Sequence, residues 1–229
     1  MLPSNVAGLV LWVQANSGRF TTAAGSTPAN TNGDPIGRWE DNTADDRHLV
    51  QTIDASRPTF LSSTPGVRFD GVNDYLKYTG SRADLVGSLI LAFVTGATSF
   101  ATRGAQVLFA VADEGSANNW FEVGITGDGR IYVESNNGGT KHTVVASRFL
   151  SQSTAYHLAL TFDGTDYYIQ VSGAEQNPLT ILNVGTFAWL GDVVGADNIT
   201  LGGTVTSAGL VRPFQGDILE VALYSEDIT

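Results

Sequence analysis

Residues 65–80 read PGVRFDGVNDYLKYTG. In this stretch Asp70-Gly71-Val72-Asn73-Asp74 separates two short apolar-aromatic runs, Val67-Arg68-Phe69 and Tyr75-Leu76-Lys77-Tyr78. Three readings compete: a corner between strands, a metal loop and a catalytic pair. Asn and Asp side chains bond backbone N–H groups a residue or two onward, and Gly accepts positive φ without steric cost. The leading expectation is therefore a corner in which Asp70, Asn73 and Asp74 hold the turn backbone. A calcium site using the same oxygens is the alternative, because hard cations take carboxylate and amide oxygens but need about six to eight of them.

Strand-like runs recur on both sides of this corner, and helical periodicity is almost absent. Val10-Leu11-Trp12-Val13 opens the series; SLILAFV (88–94), QVLFAVA (106–112), WFEVGI (120–125), RIYVES (130–135), HTVVAS (142–147), AYHLALTF (155–162), DYYIQVSG (166–173) and DILEVALY (217–224) continue it. About a dozen such segments at roughly 8–15-residue spacing is the pattern of an all-β sandwich or barrel. Thr126-Gly127-Asp128-Gly129, Asn136-Asn137-Gly138-Gly139 and Asp163-Gly164-Thr165 read as hairpin turns, which implies antiparallel pairing. Residues 88–94 are nearly continuously apolar and should be central and buried on both faces, whereas 166–173 alternate and should have one wet face. Residues 16–38 are polar and rich in Gly and Pro, an excursion expected to lie over a sheet. Residues 174–197 are irregular but contain Phe187 and Trp189. No repeat, linker or composition shift divides the chain, so residues 1–229 are expected to form one domain.

The 229 residues carry 23 acidic and 12 basic side chains, a net charge of −11. That balance disfavours nucleic acid and anionic membrane surfaces as partners. Without cysteine there is no disulfide, thiolate nucleophile or Cys-based zinc site. The apolar run VAGLVLWV (6–13) precedes the first basic residue, Arg19, and reads as a strand rather than a signal peptide. No run approaches the ~18 apolar residues of a membrane span.

LVLWVQAN (9–16), Arg38-Trp39-Glu40-Asp41, Arg57-Pro58-Thr59, VRFDGVNDYL (67–76) and GDILEVALYSEDIT (216–229) resemble, in order, the landmarks of LamG-like jelly rolls of the concanavalin A-like lectin/glucanase superfamily. The resemblance implies a two-sheet antiparallel jelly-roll β-sandwich with its first and last strands adjacent. It implies that Phe69 points into the core and that Gly216, Glu220 and Tyr224 lie on the closing strand. Relatives often continue into a short helical tail, whereas this sequence stops at Thr229.

The superfamily includes glycoside hydrolases, whose carboxylates project from one face of a strand at positions two apart. Glu122 and Glu134 sit on different runs, Asp217 and Glu220 are three apart and expected on opposite faces, and Glu226 falls beyond the strand that carries Glu220. His48, His142 and His157 show no metal-ligand spacing, and His157 is expected to be a structural imidazole. No catalytic residue is assigned and no enzyme activity is expected.

A sugar site on a sandwich is instead expected at an exposed aromatic platform beside amides or carboxylates. Trp12 and Trp39 are assigned to the core. Trp120 with Asn118 and Asn119 is the leading ligand-binding candidate. Trp189, near Asp192 and Asn198, is the second, with a contact between copies of the chain as its competitor. The expected function is non-catalytic recognition of a glycan or another surface ligand, acting multivalently on a particle or cell surface. The alternative is a virion structural protein, a capsid-decorating or fibre component whose partners are capsid or fibre proteins and copies of itself. Met1 directly ahead of the fold, the missing export signal and the lack of cysteine motivate it. The expected location is a virion surface or the extracellular space.

Overall fold

A computed structural model describes residues 3–80, 83–84, 86–183, 185 and 188–228; Phe187 lies outside the described residues. Two antiparallel sheets pack face to face. The back sheet runs in the order Ala174–Glu175, Tyr167–Val171, Ala155–Phe162, Gly87–Thr95, Gln215–Tyr224, Gly66–Asp70 and Thr59–Leu61, with Leu9–Gln14 also paired to Gln215–Tyr224. The front sheet runs Thr180–Asn183, Thr140–Phe149, Arg130–Asn137, Asn119–Ile125, Gln106–Ala112, Asn198–Leu201, Leu76–Thr79, Leu49–Val50, Arg38–Trp39 and Arg19–Phe20. First and last strands are neighbours, as the resemblance implies.

The burial pattern follows the hydrophobic pattern. Gly87–Thr95 is central, between Ala155–Phe162 and Gln215–Tyr224, and its side chains are nearly all enclosed. Tyr167–Val171 alternates buried and exposed, with Tyr168 and Gln170 in solvent. A single apolar cluster runs from Val10 to Leu223 and fills the space between the sheets. The 16–38 excursion does not simply lie over a sheet. Arg19–Phe20 pairs with Arg38–Trp39 at the front sheet's edge, and Ala29 and Ile36 are fully buried in the core.

The 65–80 stretch carries the chain from one layer to the other. Gly66–Asp70 lies in the back sheet and Leu76–Thr79 in the front sheet, and Phe69 points into the core. Gly71 sits at φ +75°, where a side chain would be strained and would meet Gln215 and Arg103.

Candidate functional site

The hairpin Thr126–Gly129 fixes the register of the two strands it joins. Gly129 N–H donates to Thr126 O (2.9 Å), and Trp120, Glu122 and Gly124 face Asn136, Glu134 and Tyr132. Phe121, Val123, Ile125, Ile131 and Val133 point into the core. The residues between them therefore project from the outer face of the front sheet. Thr140–Phe149 adds Lys141 beside Asn136 and Thr143 beside Glu134. The result is two cross-strand rows, Trp120–Asn136–Lys141 and Glu122–Glu134–Thr143.

A short hairpin, Thr204–Thr206 with Gly209–Val211, brings Arg212 onto this face. Arg212 adopts φ +53°, uncommon for a residue with a side chain. Its Nη1 pairs with Glu122 and lies 3.1 Å from Glu134 Oε1. Strain of this kind persists where surrounding contacts over-determine it. Tyr132 Oη donates to Glu122 Oε1 (2.9 Å), Thr204 Oγ1 to Glu122 Oε2 (2.7 Å), and Thr143 Oγ1 to Glu134 Oε2 (2.6 Å). Lys141 Nζ lies 3.4 Å from Glu134 Oε1. Gly124 makes room for Tyr132, because a Cβ there would stand 2.8 Å from its ring.

Glu122 is 1% exposed and Glu134 7%. The side chains of Arg212 and Lys141 are 30% and 39% exposed. The anions thus lie beneath and the cations face solvent. Arg212 Cζ stands 5.3 Å from the centre of the Trp120 ring and 6.0 Å from that of Tyr132, and Lys141 Nζ lies 5.2 Å from Trp120, within cation–π range. Burial, with the Glu134 charge adding, pushes the Tyr132 phenol well above its ordinary value, so it remains a donor. One guanidinium nitrogen thus serves both carboxylates, and hydroxyl donors take up their remaining oxygens.

The assignment of Glu122 and Glu134 to separate runs missed this pair, which forms across two strands rather than along one. The ligand candidates are distributed differently from expectation. Trp120 lies on the outer face but is only 6% exposed, its ring covered by the two cations, and it lines a cavity of about 190 Å³. Asn119 is occupied in the loop: its amide donates to Asp113 Oδ2 (3.2 Å) and its carbonyl accepts Gly138 N–H (3.0 Å). Asn118 is exposed in the same loop. Trp189 is 0% exposed and packs against Phe121 (centroids 5.2 Å) and Phe162 (6.0 Å) between the sheets. It cannot serve as a platform, because the core encloses it. Conversely Trp12, assigned to the core, is half-buried on the back sheet's outer face, its Nε1 donating to Glu220 Oε1 (2.7 Å).

Residues 92–229 match the Laminin_G_3 family, described as the concanavalin A-like lectin/glucanases superfamily. The chain belongs to that superfamily. An anhydrosialidase from Macrobdella decora is 28% identical over 152 residues, covering 62% of this chain and 19% of the relative. The solved leech intramolecular trans-sialidase is 26% identical with a TM-score of 0.52, over 64% of this chain and 22% of its own. The CBM40 of Ruminococcus gnavus IT-sialidase, solved with α2,3-sialyllactose, shares the fold at a TM-score of 0.57 and 21% identity, over 72% of this chain and 91% of its own. The chain spans about a fifth of the length of the leech proteins it matches.

In this superfamily member the 70–74 corner is a closed backbone staple. Asp70 Oδ1 accepts N–H groups of Val72, Asn73 and Asp74 at 2.7, 3.2 and 3.4 Å, and Asp74 Oδ2 accepts Asp70 N–H at 2.9 Å. Asn73 donates to Ala55 O (2.7 Å). Arg103 caps the outside through Gly71 O (2.7 Å) and Asp70 O (3.1 Å). A calcium ion here would have to displace these donors, and among the described residues no group of three or more His, Cys, Asp or Glu is arranged to hold a metal. Burial, partly opposed by the Asp70 hydrogen bond, pushes the Asp74 carboxyl up to about 7.

Other candidate groups are committed elsewhere. A bulge between Ile218 and Glu220 puts Asp217 and Glu220 on the same outer face of the back sheet, not on opposite faces as strict alternation predicts. Asp217 forks onto Arg68 (2.7 and 3.1 Å) and Glu220 holds Trp12, so neither is free. A cavity of about 440 Å³ beside Arg68 and Asp217 is thus walled by a pair already satisfied. His157 is exposed rather than packed, because it lies on the outward register of its strand. His142 bonds Gly185 O through Nδ1 (3.1 Å), and burial lowers its pKa.

Proposed function

We propose that the protein is a non-catalytic recognition module for acidic glycans of the sialoside class, which it binds on the outer face of the front sheet. The observation that carries this reading is the layering of charge. In a chain of net charge −11, the charged groups that stand over the Trp120 and Tyr132 rings are the part-exposed cations Arg212 and Lys141, with the carboxylates of Glu122 and Glu134 buried beneath them. A sugar carboxylate pairs with the guanidinium, whose planar donors match it. The fold shared with a sialyllactose-bound carbohydrate-binding module supports the same reading. Engagement of both Glu122 and Glu134 by donors supports the absence of catalysis. A single site of this kind binds at about 1 mM, roughly −4 kcal/mol, so copies on a cell or particle surface act together in the extracellular space.

The test is titration of α2,3-sialyllactose against lactose, followed by amide chemical shifts. Saturable shifts around Trp120, Tyr132 and Arg212 with sialyllactose only, weakened by Lys141→Ala and Arg212→Lys, are expected, with no lactose released on long incubation. Equal response to both sugars, or to neither, overturns the reading.

A second reading, an assembly block of a virion, rests on one observation. The front sheet ends in a four-residue edge strand, Thr180–Asn183, with Ile181 52% and Leu182 58% exposed, a surface open to another strand. Sedimentation tests it: a strictly monomeric chain at high concentration counts against it.

A further inference from the structure

Arg212 borders two cavities. One, of about 190 Å³, lies toward Trp120, Thr206 and Val211; the other, of about 150 Å³, lies toward Tyr132, Val145 and Leu182. Each is smaller than the ~300–1,000 Å³ usual for one small-ligand pocket, and the two together reach the bottom of that range. Their floors differ. Beneath the second, Val107, Ala110, Tyr132 and Val145 form an apolar cluster separate from the main core, on the outward face of the sheet. Exposed Leu182 stands at its rim. The four cluster residues are 0–3% exposed, so what is left open to a ligand is the apolar wall of the cavity itself, formed by Tyr132, Val145 and the exposed Leu182.

We infer that this second cavity is an aglycone subsite, which takes an apolar group joined to the acidic sugar. The inference rests on the reading above and on the connectivity of sialosides, in which one carbon carries both the carboxylate and the glycosidic oxygen. With that carboxylate on Arg212 and the ring on the Trp120 side, the aglycone leaves the same carbon and crosses to the Tyr132 side. The guanidinium is the divide between sugar and substituent.

Methyl and benzyl α-glycosides of sialic acid, titrated into the protein and its Leu182→Ser variant, test this. Leu182 is exposed, so the variant keeps its fold. The benzyl glycoside is expected to bind roughly tenfold tighter to the parent protein, from apolar area withdrawn from water. Most of that advantage is lost in Leu182→Ser, while methyl glycoside affinity is unchanged. A second variant, Val145→Phe, fills the cavity and should weaken the benzyl glycoside selectively. If the methyl glycoside binds in an Arg212-dependent way but the benzyl group adds nothing, or its gain survives Leu182→Ser, the subsite is wrong and the glycan reading stands. If neither glycoside binds, both are overturned.

Discussion

Glu122 and Glu134 sit opposite each other on adjacent strands, and one nitrogen of Arg212 serves both. Removing that nitrogen leaves two like charges enclosed. Arg212→Ala should therefore destabilise the fold by about 3–5 kcal/mol, read from denaturant midpoints. Adding Glu122→Gln and Glu134→Gln should recover much of the loss without restoring glycan binding. A single-variant midpoint indistinguishable from the parent would contradict the network.

Asn136 separates stability from binding. It lies between Trp120 and Lys141, is 2% exposed, and its side-chain oxygen has no hydrogen-bond partner among the described residues. An unsatisfied buried acceptor costs about 1–3 kcal/mol. Asn136→Leu should leave the melting temperature equal or higher while weakening sialyllactose several-fold. Unchanged affinity would remove Asn136 from the site.

The two ring-bearing candidates should behave oppositely. Trp189→Ala should lose about 3–5 kcal/mol, as an enclosed aromatic does. The milder Trp189→Phe should retain parent affinity for sialyllactose. Trp120→Phe should keep most stability and weaken binding. Calorimetry and titration of these variants decide it; a Trp189→Phe protein that folds but no longer binds would reverse the assignment.

Asp74 predicts a pH dependence. Its folded pKa of about 7 lies above the ordinary 3.8, so between those values the folded state binds more protons than the unfolded one. Stability should therefore fall as pH rises from about 4 to 7, and level off above. Asp74→Asn should flatten that slope and raise the melting temperature at pH 8 by on the order of a few degrees. The same slope in the variant would assign the dependence to another group.

The corner should also be indifferent to calcium. Ligand-linked stabilisation grows with concentration over Kd, so millimolar calcium should raise the melting temperature of any native calcium site. No shift is expected here, because the Asp70 and Asp74 carboxylates already accept backbone N–H groups, the Asn73 amide donates to Ala55 O, and Arg103 covers the carbonyls of Asp70 and Gly71. A rise lost in Asp70→Asn would establish the metal loop instead.

Much of the scaffold was legible because strands announce themselves through alternation and turns through Gly and Asn. The cross-strand acids were legible too, in retrospect. Once Thr126–Gly129 is a hairpin, counting outward from it pairs Glu122 with Glu134. Arg212 gave no such signal, since it reaches the face from a separate hairpin through an unusual backbone angle. The bulge that aligns Asp217 with Glu220 adds a residue that period-two counting does not anticipate. Trp189 misled for another reason: it lies in an irregular stretch with no strand alternation to assign it a face, and rings from distant strands, Phe121 and Phe162, pack against it in the core.

Leu9 pairs with Tyr224, and Gly8 O accepts Ser225 N–H at 2.8 Å, so both terminal segments emerge side by side from the layer opposite Arg212. Tethering by either end, to a bead, a sensor chip or a fused neighbour, points the cationic face outward. Clustered display would then raise avidity without any redesign of the contact surface.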